Sequence, residues 1–259
     1  MLIRKDSKYE PKTINDIIWG NAESRLRIED IVSGAEALPY CGKSAILLYG
    51  VFGTGKTTLA NLLPNAIEKG RVNEDLAVVA DFIACQQGFN GPQVMSLIER
   101  VLSKTSFNAS GLHYFVLDEV DKLGRSNHGD PSSALLEVLD PEQNHAFYDN
   151  YVETEFDLSR VLFVATANNL SMVQGPLLDR MEIIEVNGYT IEEKIEIAKN
   201  FLLPKQLKEH GLTSKDLQIG KKQLEKIVEG YTRESGVRSL EQKIAQVIRN
   251  AAKSVAMSS

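Results

Sequence analysis

The chain has 259 residues, 43% hydrophobic and 25% charged, enough for one or two domains around a sizeable core. A net charge of −6 gives no general electrostatic pull toward nucleic acid. No apolar run reaches the ~18 residues of a membrane span, and the polar start Met1-Leu2-Ile3-Arg4-Lys5-Asp6 lacks an apolar signal core, which predicts a cytoplasmic protein.

In chain order, Pro11 predicts an extended entry, and Ile28, Ile31 and Val32 predict a helix over roughly 22–33. Cys41 has no C-x-x-C partner, and neither does Cys85; His113, His128, His145 and His210 lack ligand spacing. Neither a disulfide nor a structural zinc is expected. Ala45–Tyr49 is an apolar run of strand length. It leads into Gly50-Val51-Phe52-Gly53-Thr54-Gly55-Lys56-Thr57-Thr58, the pattern G-x-x-x-x-G-K-T, with a helix opening behind it.

Strand, loop and helix in this order make a phosphate cradle. Glycines let backbone N–H groups turn toward phosphate oxygens, and the helix N-terminus adds partial positive charge. Residues 50–58 are therefore the expected nucleotide-binding segment. Lys56 would reach the β- and γ-phosphates, and the Thr57 hydroxyl would hold Mg²⁺. Pro64 is expected to kink the following helix.

Residues 76–84 suggest a second buried strand, followed by a turn at 88–91. Val94, Leu97, Ile98, Val101 and Leu102 then predict an amphipathic helix. A third strand, 113–117, runs into Asp118-Glu119. An Asp at a strand's carboxyl end can hold Mg²⁺, and the next Glu can orient and deprotonate an attacking water. Asp118 is thus a second metal and nucleotide candidate, and Glu119 the candidate base. Residues 131–139 read as a short helix and 144–156 as an irregular aromatic stretch. Residues 161–166 read as a fourth strand ending near Asn168, 175–176 as a turn, and 182–186 as a fifth strand.

Strands alternating with helices imply a parallel sheet with helices on both faces, and a ligand site beyond the strands' carboxyl ends. From residue 189 the pattern is helical only. Thr190-Ile191-Glu192-Glu193 is a capping box, a first helix should stop at Pro204, and two more follow around 224–228 and 240–248. The expected division is an α/β nucleotide-binding domain over 1–188 and a small all-α domain over 189–259.

These features together resemble the AAA+ ATPases, P-loop NTPases whose α/β domain carries a helical lid. Residues 50–58 match the Walker A loop, and Asp118-Glu119 ends the Walker B strand. Over roughly 113–256 the chain resembles the ATPase module of Lon proteases. His128-Gly129-Asp130-Pro131 through Asp140-Pro141-Glu142-Gln143-Asn144 carries that likeness. So do Ala165-Thr166-Ala167-Asn168-Asn169, Leu177-Leu178-Asp179-Arg180-Met181-Glu182, Gly188-Tyr189-Thr190 and Tyr231 through Leu240. Residues 9–112 look more like a clamp-loader-type AAA+ ATPase, with Val51-Phe52 where prolines are usual. The two likenesses suggest a hybrid (recombinant, chimera or divergent lineage) with a seam near Asp118–His128.

The resemblance implies ATP and Mg²⁺ as cofactors, Asn168 as the first sensor, and Arg238 as the second sensor on the lid. It implies Arg180 as an arginine finger reaching a neighbour's ATP; a surface ion pair is the competing reading of that residue. It also implies self-association into a ring, hexameric in such families, acting on a protein substrate. Phe89-Asn90-Gly91 and Gly129-Asp130 fall where pore loops occur. No Ser-Lys proteolytic segment is present in the sequence, so ATP hydrolysis coupled to conformational work is expected without peptide cleavage. The alternatives are a clamp-loader-like switch acting on DNA or protein complexes, and a nucleotide-binding scaffold with little turnover.

Overall fold

A computed structural model describes residues 10–39, 42–72, 78–85, 96, 108–123, 131–149 and 154–258. They fall into two compact units. One comprises Asn21–Gly50 and Lys56–Val186; the other takes the residues up to Gly20, the segment Val51–Gly55 and the chain from Asn187 on.

The larger unit is built on a five-stranded sheet of β1 (Ala45–Tyr49), β2 (Ala80–Ala84), β3 (His113–Asp118), β6 (Val161–Ala167) and β7 (Met181–Glu185). The order is β2-β3-β6-β1-β7, and every pairing is parallel. The central strands are apolar over most of their length because both faces are covered. Ala45, Leu47, Phe115, Leu117, Phe163 and Ala165 pack in one cluster with Leu135, Val138 and Leu139 of α3 (Pro131–Leu139) and Leu177 of α4 (Gly175–Leu178). Phe115 and Phe163 stack within it, centroids 5.5 Å apart.

On the other face lie α1 (Ala22–Ser33) and α2 (Lys56–Val72), which bury Ile28, Ile31, Leu59, Leu63 and Ile67. There Glu68 of α2 is buried and accepts hydrogen bonds from Tyr114 Oη at 2.7 Å and the Ser110 amide at 3.1 Å. Parallel register brings the strands' carboxyl ends to one edge. Leu117 pairs with Ala165 and Tyr49 with Ala167, which sets Asp118 and Thr166 at the same level.

Several expectations are corrected here. The second strand covers only Ala80–Ala84, and of its residues only Ile83 is buried. It is an edge strand, and its outward residues meet solvent. Residues 144–156 are not irregular throughout: β4 (Phe147–Asp149) and β5 (Thr154–Phe156) pair antiparallel, Phe147 opposite Phe156. The stretch Gly175–Leu178 is a helical turn rather than a plain turn, because Pro176 in its first positions needs no amide partner. The fifth strand starts one residue earlier than expected, at Met181. Pro64 lies inside α2, as the sequence suggested, and the helix continues to Val72. The expected turn at 88–91 and the expected Val94–Leu102 helix, with Phe89-Asn90-Gly91, lie outside the described residues (Ser96 alone is described), as do Cys41, His128 and Gly129-Asp130.

The smaller unit is a bundle of α5 (Ile191–Ile197), α6 (Leu203–Glu209), α7 (Lys221–Tyr231) and α8 (Arg238–Ser258). Ile195, Ala198, Leu202, Leu224, Val228, Leu240, Ile244 and Ile248 form its core. The capping box is present: Thr190 Oγ1 accepts from the Glu193 amide at 3.2 Å, and the Glu193 carboxylate accepts from the Thr190 amide at 2.8 Å. Pro204 does not stop the helix. A π-helical turn, Ala198–Leu202, shifts the ladder by one residue, so that the Leu203 amide bonds the Ala198 carbonyl and Pro204 falls in the first turn of α6. Val247, within the expected 240–248 helix, is exposed. No described helix is long and apolar enough to cross a membrane.

Candidate nucleotide site

In the larger unit a polar cluster sits at the carboxyl edge of β3 and β6, beside the first turn of α2. Thr57 Oγ1 donates to Asp118 Oδ1 at 2.8 Å. Thr166 Oγ1 donates to the same oxygen at 2.7 Å and accepts the Glu119 amide at 2.9 Å. Asn168 Nδ2 reaches Glu119 Oε1 at 3.4 Å, and Lys122 Nζ pairs with the other carboxylate oxygen of Glu119.

Asp121 Oδ2 accepts the backbone amides of Asn168 and Asn169, both at 3.1 Å, which fixes the turn that presents the Asn168 side chain. Glu119 is the one non-glycine among the described residues in the left-handed region, at φ 60°, ψ 51°. Such a conformation costs on the order of 1–3 kcal/mol and persists where surrounding contacts over-determine it.

Lys56 opens α2 and is 6% exposed. Burial pushes its ammonium below the usual lysine range, while Asp121, then Asp118 and Glu119, pull it back up. The buried ammonium is thus offset by the three carboxylates of the cluster. Cys85, whose amide donates to the Asp118 carbonyl at 2.9 Å, is an inert neighbour. Burial first, and then the same three carboxylates, push its thiol up to about 12.

The glycine segment belongs to the smaller unit. Gly53 and Gly55 have φ of +79° and +85°. A Cβ on Gly53 would lie 3.1 Å from both Cβ and N of Arg238, the first residue of α8. The Gly53 carbonyl accepts the Val237 amide at 3.1 Å, and the Thr54 carbonyl accepts Tyr189 Oη at 2.7 Å. Burial pushes the Tyr189 phenol up to about 12, which keeps it a donor.

Mg²⁺ favours hard oxygen ligands. The adjoining Thr57 hydroxyl and Asp118 carboxylate, 2.8 Å apart, are such a set and fit that ion. Lys56, Thr57, Asp118, Glu119 and Asn168 are brought together as the sequence suggested, and Arg238 lies against the glycine segment. Arg180 is elsewhere: its guanidinium pairs with Asp140 at 2.9 Å and the Pro176 carbonyl at 3.0 Å, neither of them in the cluster. The sequence reading missed Thr166, Asp121 and Tyr189. Thr166 gave a weak signal, being a hydroxyl two residues before Asn168 in an otherwise apolar strand.

A phosphate loop, a strand-end Asp-Glu pair and a five-stranded parallel sheet define a P-loop nucleotide-binding protein. The chain belongs to the ATPase family associated with various cellular activities (AAA), whose model matches residues 46–189. Residues 208–259 match the Lon protease AAA+ ATPase lid domain. Lon protease of Flavobacterium johnsoniae is 50% identical over 252 residues, 97% of this chain and 31% of that protein. Lon protease of Karelsulcia muelleri is 51% identical over 216 residues, 83% of this chain and 25% of that protein. The chain thus spans about a third or less of the length of these relatives and is a Lon-like AAA+ ATPase module.

Two point-mutant structures of Thermotoga maritima RuvB are similar in fold, with TM-scores of 0.60 and 0.55 at 16% and 17% identity. They cover 94% and 93% of this chain and 65% and 64% of theirs. At that identity the likeness speaks for the fold alone. Because the Flavobacterium relative aligns over nearly the whole chain, the Lon likeness continues through the N-terminal half, and no seam near Asp118–His128 is needed to account for it.

Proposed function

We propose that the cluster binds ATP with Mg²⁺ and hydrolyses its β–γ bond, and that this chain couples the reaction to conformational work on a protein substrate. The observation that carries this reading is one carboxylate, Asp118, hydrogen-bonded to the Thr57 hydroxyl at 2.8 Å with Glu119 next in the chain. When bound, the metal held by Thr57 and Asp118 would supply positive charge that offsets the negative charge of the phosphates.

Thr57 and Asp118 hold that ion. The peptide N–H groups of Gly50, Val51, Phe52, Gly53, Thr54 and Gly55 cradle phosphate, helped by Lys56 and Thr58. Glu119 takes the proton of the attacking water, and Asn168 orients the same water. Arg238 reports the nucleotide to the helical domain, for which we adopt residues 189–259 after a nucleotide domain over 1–188. Arg180 acts on a neighbour's nucleotide in a ring, taken as hexameric, and the working compartment is the cytoplasm. Its pairing with Asp140 is compatible with a finger whose target is not in its own chain.

Glu119→Gln is expected to keep ATP affinity and to lower turnover at least about a hundredfold. Lys56→Ala is expected to weaken binding itself. ATP titration and phosphate release on the two variants check this. Turnover near the parent's rate in the Glu119→Gln chain would remove the proposed base. Stimulation by unfolded protein rather than DNA separates a motor acting on polypeptide from a clamp-loader-like switch.

A further inference from the structure

The Thr166 hydroxyl is the hub of the cluster. It is 1% exposed and lies inside β6 among Val164, Ala165 and Ala167, all fully buried. A hydroxyl has one donor and two acceptor positions. Here the donor goes to Asp118 Oδ1 at 2.7 Å, and one acceptor position takes the Glu119 amide at 2.9 Å. One oxygen atom therefore binds the two consecutive residues that carry metal binding and proton transfer in the reading above, on which this inference rests.

The Glu119 backbone is in the left-handed region, which a glutamate does not adopt without outside contacts. Its side chain is tied to Asn168 and Lys122, the latter pair partly exposed to water. Its amide is tied to Thr166, in the dry interior of the sheet. A partly exposed ion pair contributes little, so the buried bond is what holds the peptide in place. The same hydroxyl and Thr57 both donate to Asp118 Oδ1, which fixes the rotation of that carboxylate.

We propose that Thr166 is a positioning residue for hydrolysis. Its hydroxyl locks the left-handed Glu119 backbone and the Asp118 carboxylate in one geometry, so that the base faces the terminal phosphate rather than swinging away. The residue acts through its two neighbours, the Glu119 amide and the Asp118 carboxylate.

The test compares Thr166→Val, which keeps the shape and removes the hydroxyl, with Thr166→Ser, which restores it, in the whole chain. Displacing a reacting group by about 1 Å costs on the order of a hundredfold in rate. Thr166→Val should therefore lower kcat at least about tenfold while KM for ATP changes less than about threefold, the split expected when a transition-state contact is lost.

In the nucleotide-free and metal-free chain, exchange of the Glu119 amide should speed up at least about tenfold, because its acceptor is gone. Thr166→Ser should bring both readouts back to within about threefold of the parent. Should the valine chain fail to fold, Thr166→Cys, a weak donor and acceptor, makes the same comparison.

A valine variant with parental kcat, or a serine variant as impaired as valine, overturns the proposal. Glu119→Gln measured alongside separates the two layers. If it is inactive while Thr166→Val turns over normally, the positioning role alone falls. If Glu119→Gln is itself active, the site reading and this inference fall together.

Discussion

Gly53 sits where an added methyl group has a calculable cost. Its φ of +79° would cost an alanine roughly 1–2 kcal/mol. An added Cβ would also stand 3.1 Å from Cβ and N of Arg238 and 3.4 Å from N of Val237. Two of those three atoms are backbone, which cannot rotate away. Relief requires the start of α8 to move from the loop, which lengthens the 3.1 Å bond from the Val237 amide to the Gly53 carbonyl, worth about 1 kcal/mol.

Strain and lost bond together come to about 2–3 kcal/mol, concentrated where the glycine segment meets the helical bundle. At a factor of ten per ~1.4 kcal/mol, exchange of the Val237 amide in Gly53→Ala should accelerate about 30- to 150-fold. Amides of the central strands β1, β3 and β6 should be unchanged, since they lie in the other unit. ATP affinity should fall as well, because the loop loses the shape that aims its amides. Native-state hydrogen exchange followed by mass spectrometry reads the first effect. A Val237 amide exchanging at the parent's rate would refute the reasoning.

Two further outcomes follow from the charged groups. Lys56 is held below the usual lysine value of 10.5 by burial, so the unfolded chain binds the extra proton between the two values. Stability rises with pH only in that window and is flat below it. Phosphate needs the ammonium, so ATP affinity should be flat near neutral pH and decline before an ordinary lysine would titrate. Titrations across the alkaline range check this, and an affinity constant up to the usual lysine value would contradict it.

Arg180→Ala should leave ATP affinity unchanged, lower turnover about a thousandfold at concentrations where the chain assembles, and abolish any gain in specific activity with concentration. The Arg180 guanidinium, first through its hydrogen bond, also holds the Asp140 carboxyl below the usual aspartate value of 3.8. The stability from that pair is present above 3.8 and lost as pH falls through the lower folded value, a loss that Arg180→Ala should remove from acid unfolding curves.

What the sequence revealed depended on how local each cause was. The strand–loop–helix at 45–63, the capping box at Thr190 and the apolar runs of β3 and β6 each carry their explanation within a few residues. The amphipathic run of α1 did the same for Ile28 and Ile31. Where the reading failed, the deciding partner lay far along the chain. β2 looks as buried as β3 by composition, and only its place at the sheet edge exposes Phe82. The β4–β5 ribbon is too short for a period-2 pattern to register. Pro204 reads as a stop, because a π turn leaves no mark in an apolar helical repeat. In the site, Lys56 and Glu119 were legible by motif. Thr166 and Asp121 were not, since their roles consist of bonds to residues 45 or more positions away.

That non-local layer is the one that makes the motif residues chemically useful. Asp118 and Glu119 are consecutive, so on an extended strand their side chains would point to opposite faces of the sheet. One would meet Thr57, and the other would be turned into the apolar layer packed under α3. The left-handed peptide at Glu119 breaks that alternation at the end of β3 and brings both carboxylates to the same edge. Glycine would adopt this backbone without strain but has no carboxylate to offer. The proposed base must carry a carboxylate, so the strain is met by neighbouring contacts. The Thr166 hydroxyl and the Asn168 amide supply them from the adjacent strand β6, whose register with β3 is fixed by five successive pairs from His113–Val161 to Leu117–Ala165. The apolar core that sets this register therefore helps to fix the geometry of the proposed site.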